Sequence, residues 1–272
     1  MIISGKLVDI HRREIYPAEI SISGGIISKI VRVKHCHERF IMPGLIDSHI
    51  HIESSMVTPG SFAAAAVSRG TTAVVSDPHE IANVLGIRGV RFMIEDSKRV
   101  PLKFYFGAPS CVPATPFESA GSELNAFAVE ELLSIHDIHY LAEMMNYPGV
   151  VYGDSEVLKK LEVARRLKKP VDGHAPGLTG ELLRKYVAAG ISTDHECTSA
   201  EEAREKIALG MKILVREGSA AKNLDALKEL FKSNPEMLML CSDDLHPEML
   251  LKQHINALVA RLVSDGYDIF DV

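Results

Sequence analysis

Pro43-Gly44-Leu45-Ile46-Asp47-Ser48-His49-Ile50-His51 decides how the chain is read. An apolar run of strand type, Phe40 to Ile46, leads into two histidines spaced i, i+2. Residues two apart on a strand point to the same side, so both imidazoles can reach one metal ion from one short piece of backbone. The polar pair Asp47-Ser48 is expected to end the strand and leave the histidines at an open edge.

Outward from this stretch the chain alternates. β-type runs recur at Ile41–Ile46, Thr71–Val75, Leu102–Phe106, Tyr140–Met145, Pro170–Gly173, Gly190–Thr193, Met211–Val215 and Met237–Cys241. Amphipathic segments lie between them: Ser61–Arg69, Val129–Ile135, Ser155–Leu167, Gly180–Ala189, Ser199–Leu209, Ala220–Phe231 and Pro247–Ser264. Ser155 and Ser199 are read as helix caps. Eight strand–helix units in about 230 residues is the count and size of a (β/α)8 barrel. A doubly wound open sheet is the alternative, but no Gly-x-Gly-x-x-Gly follows any strand. Residues 1–40 read instead as short strands around the Ser23-Gly24-Gly25 turn. The expected fold class is α/β: a TIM-like (β/α)8 catalytic barrel over residues 41–272, with a small, incomplete N-terminal β-sheet subdomain, a partial β-sandwich, over residues 1–40.

The 272 residues are 46% hydrophobic with a net charge of −6. This mild acidity, without a dense Lys/Arg cluster, argues against nucleic-acid binding. No apolar run approaches the ~20 residues of a membrane span, and Met1 to Leu7 lacks a secretion signal's long apolar region. Cys36, Cys111, Cys197 and Cys241 show no CxxC spacing, so buried thiols in a reducing cytoplasm are expected.

Barrel enzymes gather their active sites at the C-terminal ends of the strands. Those ends carry His49 and His51, then Asp77-Pro78-His79-Glu80, Glu143, Asp172-Gly173-His174, Thr193-Asp194-His195-Glu196 and Cys241-Ser242-Asp243-Asp244. Imidazoles and carboxylates at this many ends point to a divalent metal centre. Glu143 lies inside an apolar run, where an unpaired carboxylate is costly to bury, and ligation accounts for it. Asp243 and Asp244 are adjacent, so one is expected to face the mouth, with Asp243 chosen. His79-Glu80 read equally as a helix cap. His11, His35 and His37 are read as solvated, His136 and His139 as structural, His246 as near the pocket, and His254 as a non-ligand within the last helix.

These motifs together resemble the amidohydrolase superfamily. His51-Ile52-Glu53-Ser54-Ser55, Asp77 to Val84, Glu143-Met144-Met145-Asn146, Asp172 to Leu178 and Cys241 to Asp244 resemble its adenine deaminase family, over nearly the whole chain. The resemblance implies hydrolytic deamination of adenine to hypoxanthine and ammonia in purine salvage. It implies a binuclear divalent centre, Mn2+ first with Fe2+ or Zn2+ as alternatives, in a cytoplasmic homodimer. His49, His51 and Asp243 would hold one ion, His174 and His195 the other, and Glu143 would bridge them. Asp243 would also move the proton from the attacking water to the leaving amino group, and Glu196 or His246 would protonate the ring. Ser54, Ser55, His79, Glu80 and His246 would contact substrate, with an accessory metal as a second role for His79 and Glu80. Family members continue past Val272, so a C-terminally truncated chain is expected. The other readings are an amidohydrolase that cleaves a cyclic amide and a catalytically inactive fragment.

Overall fold

The computed structural model describes residues 1–115 and 117–272. The chain divides into two units, Met1–Gly44 and Leu45–Val272.

The first unit is a four-stranded sheet in the order β3-β2-β1-β4, built from β1 (Ile2–Asp9), β2 (Glu14–Ser23), β3 (Ile26–Arg32) and β4 (Phe40–Ile41). The first three strands pair antiparallel, and β4 joins β1 in parallel through Lys6↔Phe40 and Leu7↔Ile41. Phe40 and Ile41 therefore belong to this sheet, which corrects the expectation that they open the first barrel strand. Leu7, Tyr16, Ala18 and Ile20 form a small core. Every residue of β3 is exposed.

The second unit alternates strands and helices. Its strands are β5 (Leu45–His51), β6 (Thr71–Ser76), β7 (Lys103–Ala108), β8 (Ile138–Met144), β9 (Val171–Gly173), β10 (Thr193–Asp194), β11 (Lys212–Arg216), β12 (Leu238–Cys241) and β13 (Asp243–Asp244). Its helices are α1 (Pro59–Ser68), α2 (His79–Leu85), α3 (Ile87–Ser97), α4 (Ala126–Leu133), α5 (Tyr147–Tyr152), α6 (Ser155–Arg166), α7 (Gly180–Ala188), α8 (Ala200–Ala208), α9 (Leu224–Leu227), α10 (Pro247–Leu250) and α11 (Ile255–Ser264). The strands pair in parallel in the orders β13-β5-β6-β7-β8-β9 and β10-β11-β12. A parallel bridge, Val171↔Ile191, joins the two sheets just before β10. Asp243↔Ile50 and Asp244↔His51 bring the last segment back to the first strand. Each of the eight expected runs contributes one strand of this ring, the arrangement of a TIM-type barrel. No helix among the described residues is long and apolar enough to cross a membrane.

Several local readings are corrected. Strand β5 does not stop at Asp47-Ser48 but continues through His51. Asp47 is fully buried because it is satisfied: its oxygens accept from the backbone N–H of Ser242 (3.0 Å) and from the Ser242 hydroxyl, and lie 2.8 Å from His254 Nε2. The Ser48 hydroxyl donates to the Leu240 carbonyl at 2.7 Å. These polar side chains stitch the first strand to the last instead of breaking it. The cap of α6 is Asp154, whose carboxylate accepts from the N–H groups of Glu156 and Val157; a carboxylate at a helix N-terminus also meets the positive end of the helix dipole. Ser199 caps α8 as read, accepting from Glu202 N–H at 3.2 Å. The run 220–231 forms only α9 followed by a 3-10 turn, and the run 247–264 splits into α10 and α11 with His254 between them.

Candidate metal centre

His49 and His51 leave β5 on one face, both buried, with their Nε2 atoms 3.1 Å apart. Their other ring nitrogens face groups that only accept: His49 Nδ1 lies 2.8 Å from Asp172 Oδ2, and His51 Nδ1 lies 3.0 Å from the Asp77 carbonyl. Each neutral ring must therefore carry its proton on Nδ1, which aims two Nε2 lone pairs at each other. Only a cation or a proton between them relieves that opposition.

Glu143, at the end of β8, is 3% exposed and reaches both sides of the cluster. Its Oε1 is 3.2 Å from His51 Nε2 and 3.3 Å from His79 Nδ1. Its Oε2 is 2.7 Å from His174 Nδ1 and 3.3 Å from His195 Nε2. The His174 and His195 rings meet edge to face, 5.2 Å between centroids. His195 stacks on His49 at 4.1 Å, and its Nδ1 is buried with no partner among the described residues. Asp243 Oδ1 lies 3.3 Å from His51 Nε2 and 3.8 Å from His49 Nε2.

These atoms form overlapping ligand sets, each within 4.8 Å: His49, His195 and Asp243; Glu143, His174 and His195; His51, Asp77, His79 and Glu143; His51, Asp243 and Asp244. Imidazoles with carboxylates are the donors that divalent first-row metals take. All six residues expected as ligands converge here, and His195 appears in two of the sets.

The charged groups of the cluster shift one another. Burial works against the charge on Glu143, but hydrogen bonds from His174, His195 and His51 outweigh it and hold its carboxyl well below the usual range. Burial likewise opposes ionisation of Asp243, yet the His51 hydrogen bond and the charges of His195 and His49 keep it low. Burial also opposes charge on His195, but the Glu143 hydrogen bond and charge raise it to about 9. His51 is raised well above its ordinary value despite its burial, by Asp243 and Glu143.

The alternation argument for Asp243 and Asp244 is corrected. Asp243 has φ +55°, in the left-handed region, so the strand rule fails and both carboxylates reach the mouth. The Ser54 hydroxyl lies 2.6 Å from Asp244 Oδ1 and 3.1 Å from Glu80 Oε1. His79 is both the first residue of α2 and a member of the cluster, with Asp77 Oδ2 3.1 Å from its Nδ1. Glu196 Oε1 lies 3.5 Å from His174 Nδ1 and 3.4 Å from His195 Nε2. Two expected residues are not brought in. Ser55 is fully buried and its hydroxyl closes a 3-10 turn onto the Ile52 carbonyl at 2.6 Å. His246 is exposed at the N-cap of α10, its backbone N–H donating to Ser219 Oγ at 2.9 Å.

Arg216 was missed from the sequence. From the end of β11 its Nη1 lies 2.6 Å from both Glu196 Oε1 and Asp243 Oδ2, and its Nη2 2.8 Å from Glu196 Oε2. Its signal was a lone cation at the end of the seventh barrel strand. Asp172 and His254 were missed as supports because their partners, His49 and Asp47, are distant in the chain.

The model of the Amidohydrolase family matches residues 40–269. The chain is 56% identical over 270 residues to the adenine deaminase of Salinibacter ruber, covering 99% of this chain and 50% of that protein. It is 55% identical to that of Methanosarcina mazei over 98% of this chain and 48% of the relative. It is 51% identical to that of Parabacteroides distasonis over 100% and 50%. The chain spans about half the length of the curated relatives it matches. Among solved structures, a beta-aspartyl dipeptidase from Fervidobacterium islandicum aligns with a TM-score of 0.60 at 14% identity, covering 99% of this chain and 83% of that one. A 5-methylcytosine deaminase from Klebsiella pneumoniae aligns at 0.57 and 14%, covering 99% and 81%. These distant structures agree on the fold, and the family match takes in every residue of the histidine–carboxylate cluster: this chain belongs to the amidohydrolase family.

Proposed function

We propose that the chain carries the catalytic barrel of an adenine deaminase, hydrolysing the C6–amino bond of adenine to give hypoxanthine and ammonia in purine salvage. The observation that supports this most is Glu143, whose two oxygens face different histidine sets, His51 and His79 on one side and His174 and His195 on the other. A carboxylate so placed suits a bridge between two cations. His49, His51 and Asp243 would hold one ion, His174 and His195 the second, with Mn2+ the favoured metal and Fe2+ or Zn2+ the alternatives. When bound, two such cations acidify a water so that hydroxide is available near neutral pH.

The remaining work falls to the chain's own residues. Asp172 and the Asp77 carbonyl orient His49 and His51 from behind. Asp243 takes the water proton and delivers it to the leaving amino group, with Arg216 fixing the carboxylate from its other oxygen. Glu196, beside His174 and His195, is the candidate proton donor to the ring in place of the exposed His246. Ser54, Glu80 and Asp244 form a polar edge suited to the hydrogen-bonding rim of a purine. The proposed setting is a cytoplasmic homodimer.

The test is ammonia release from adenine by the metal-free chain and after addition of Mn2+. Mn2+-dependent release is the expected result. Ring opening of a hydantoin or dihydropyrimidine while adenine stays intact would move the assignment to a cyclic amidase, and the absence of both reactions would reduce this chain to a metal-binding barrel.

A further inference from the structure

Behind the histidines lies a second cluster with the composition of a metal site: Asp194, Cys197 and Glu202, all buried and with ligand atoms within 4.8 Å of one another. The cation there is part of the chain. Lys206, from α8, is 0% exposed, and its Nζ donates to Ala175 O at 2.7 Å, Asp194 Oδ2 at 2.9 Å and Glu202 Oε1 at 2.6 Å. An ammonium has three N–H donors, and each has an acceptor.

The partners are what give this network a role. Ala175 follows His174 and Asp194 precedes His195, so one ammonium grips the backbone beside one histidine and the side chain beside the other. Asp194 Oδ1 accepts the Ala175 N–H at 2.8 Å and so ties the ends of β9 and β10 a second time. Glu202 accepts the N–H groups of Gly177 (2.9 Å) and Thr198 (3.2 Å), one from each of the two loops. The contacts towards the other side are separate: Arg216 joins Glu196 to Asp243, and Asp172 supports His49.

We propose that Lys206 is a positioning residue that sets the spacing of His174 and His195, and with it the affinity of the half of the metal centre they would form. The inference rests on the metal-centre reading above. Outer groups that orient ligands are worth about 10- to 100-fold in metal affinity, and here a single ammonium orients two ligands at once.

The test is titration of the full chain with Cd2+, followed by cadmium NMR and calorimetry, with circular dichroism recording the fold. The unaltered chain should take up two ions with separate resonances. Lys206→Met should keep one resonance at its original affinity and weaken the other by about 10- to 100-fold. Glu202→Gln, a milder change at the same node, should weaken that same resonance by less. Asp172→Asn, which faces His49, should affect the opposite one. Two undisturbed resonances in both clamp variants, or equal weakening of both ions, would overturn the proposal. If Lys206→Met does not fold, Glu202→Gln is read by the same criteria. An unaltered chain that takes up no Cd2+ would overturn the metal-centre reading itself, and this inference with it.

Discussion

His49 and His51 face each other through Nε2 atoms 3.1 Å apart. Two residues apart on one strand, they can do so only because β5 continues past Asp47, held by groups nearly 200 positions away in the chain. Acceptors behind each ring then turn both lone pairs inward. Most of the expected behaviour of the site follows from this opposed pair and from the carboxylates around it.

Glu143→Gln keeps the shape of the bridging side chain and removes its charge. The bound metal should fall from two ions per chain towards one, and turnover of adenine should fall by about 10²-fold or more. Elemental analysis after desalting, together with ammonia release, checks both. Full metal content with normal turnover would remove Glu143 from the centre.

Asp243→Asn removes the proposed base while keeping the side chain's volume. A fall in kcat of about 10²-fold or more is expected, as loss of general acid–base catalysis implies. KM should change much less. Near-normal kcat would pass the role to Asp244, whose carboxylate also reaches the mouth.

Arg216→Met leaves Glu196 and Asp243 without their shared guanidinium. Leaving such partly buried acceptors unpaired costs about 1–3 kcal/mol, which thermal unfolding should register as a lower Tm. Arg216→Lys should recover only part of the loss, because a point charge cannot reproduce the two-pronged contact with Glu196. A Met variant as stable as the original would show that the ion pairs contribute nothing net.

Metal uptake should depend on pH. Without an ion, His195 titrates at about 9, held up by Glu143 against the effect of burial. Its raised value means that the stabilising protonated form is fully present below the ordinary histidine pKa of about 6.5 and is lost as the pH rises through about 9. A cation must displace that proton, so the apparent Mn2+ affinity should rise across this window with proton release. Calorimetry in buffers of different ionisation enthalpy measures the release. Affinity that is flat from pH 6.5 to 9 would contradict the ligand role of His195.

The two units should differ in protection. In β3 every residue is exposed, including Ile27 and Ile30, and the strand pairs on one side only, with β2. An edge strand of this kind opens readily. Its amides should exchange much faster than those of Val74 and Val75, which sit in β6 between β5 and β7. Ile20, buried in the central strand β2, should be slower than Ile27. Equal protection of β3 and β6 would show that this edge is covered in solution.

The barrel was legible because its signals are local. Each strand is a short apolar run and each helix an amphipathic one, so eight repeats could be counted without knowing any contact. The histidines that converge were legible for the same reason, since a strand end is a position in the sequence and i, i+2 spacing fixes a shared face. Tertiary structure decided what depends on partners distant in the chain. Asp47 and Ser48 read as a strand break and proved to be a seam, because Ser242 and Leu240 satisfy them. Asp243 and Asp244 read as pointing apart and proved to share the mouth, because the backbone is left-handed at Asp243. Arg216 and Lys206 do not stand out in the sequence and prove to be clamps, since the carboxylates that hold them include ones from other strand ends. Sequence alone determined the elements and the donor types, because both are written in residue identity and spacing. Only the closed ring decided which donors meet and which charges are paired, because burial and hydrogen bonding depend on neighbours that the chain acquires when its last strand returns to its first.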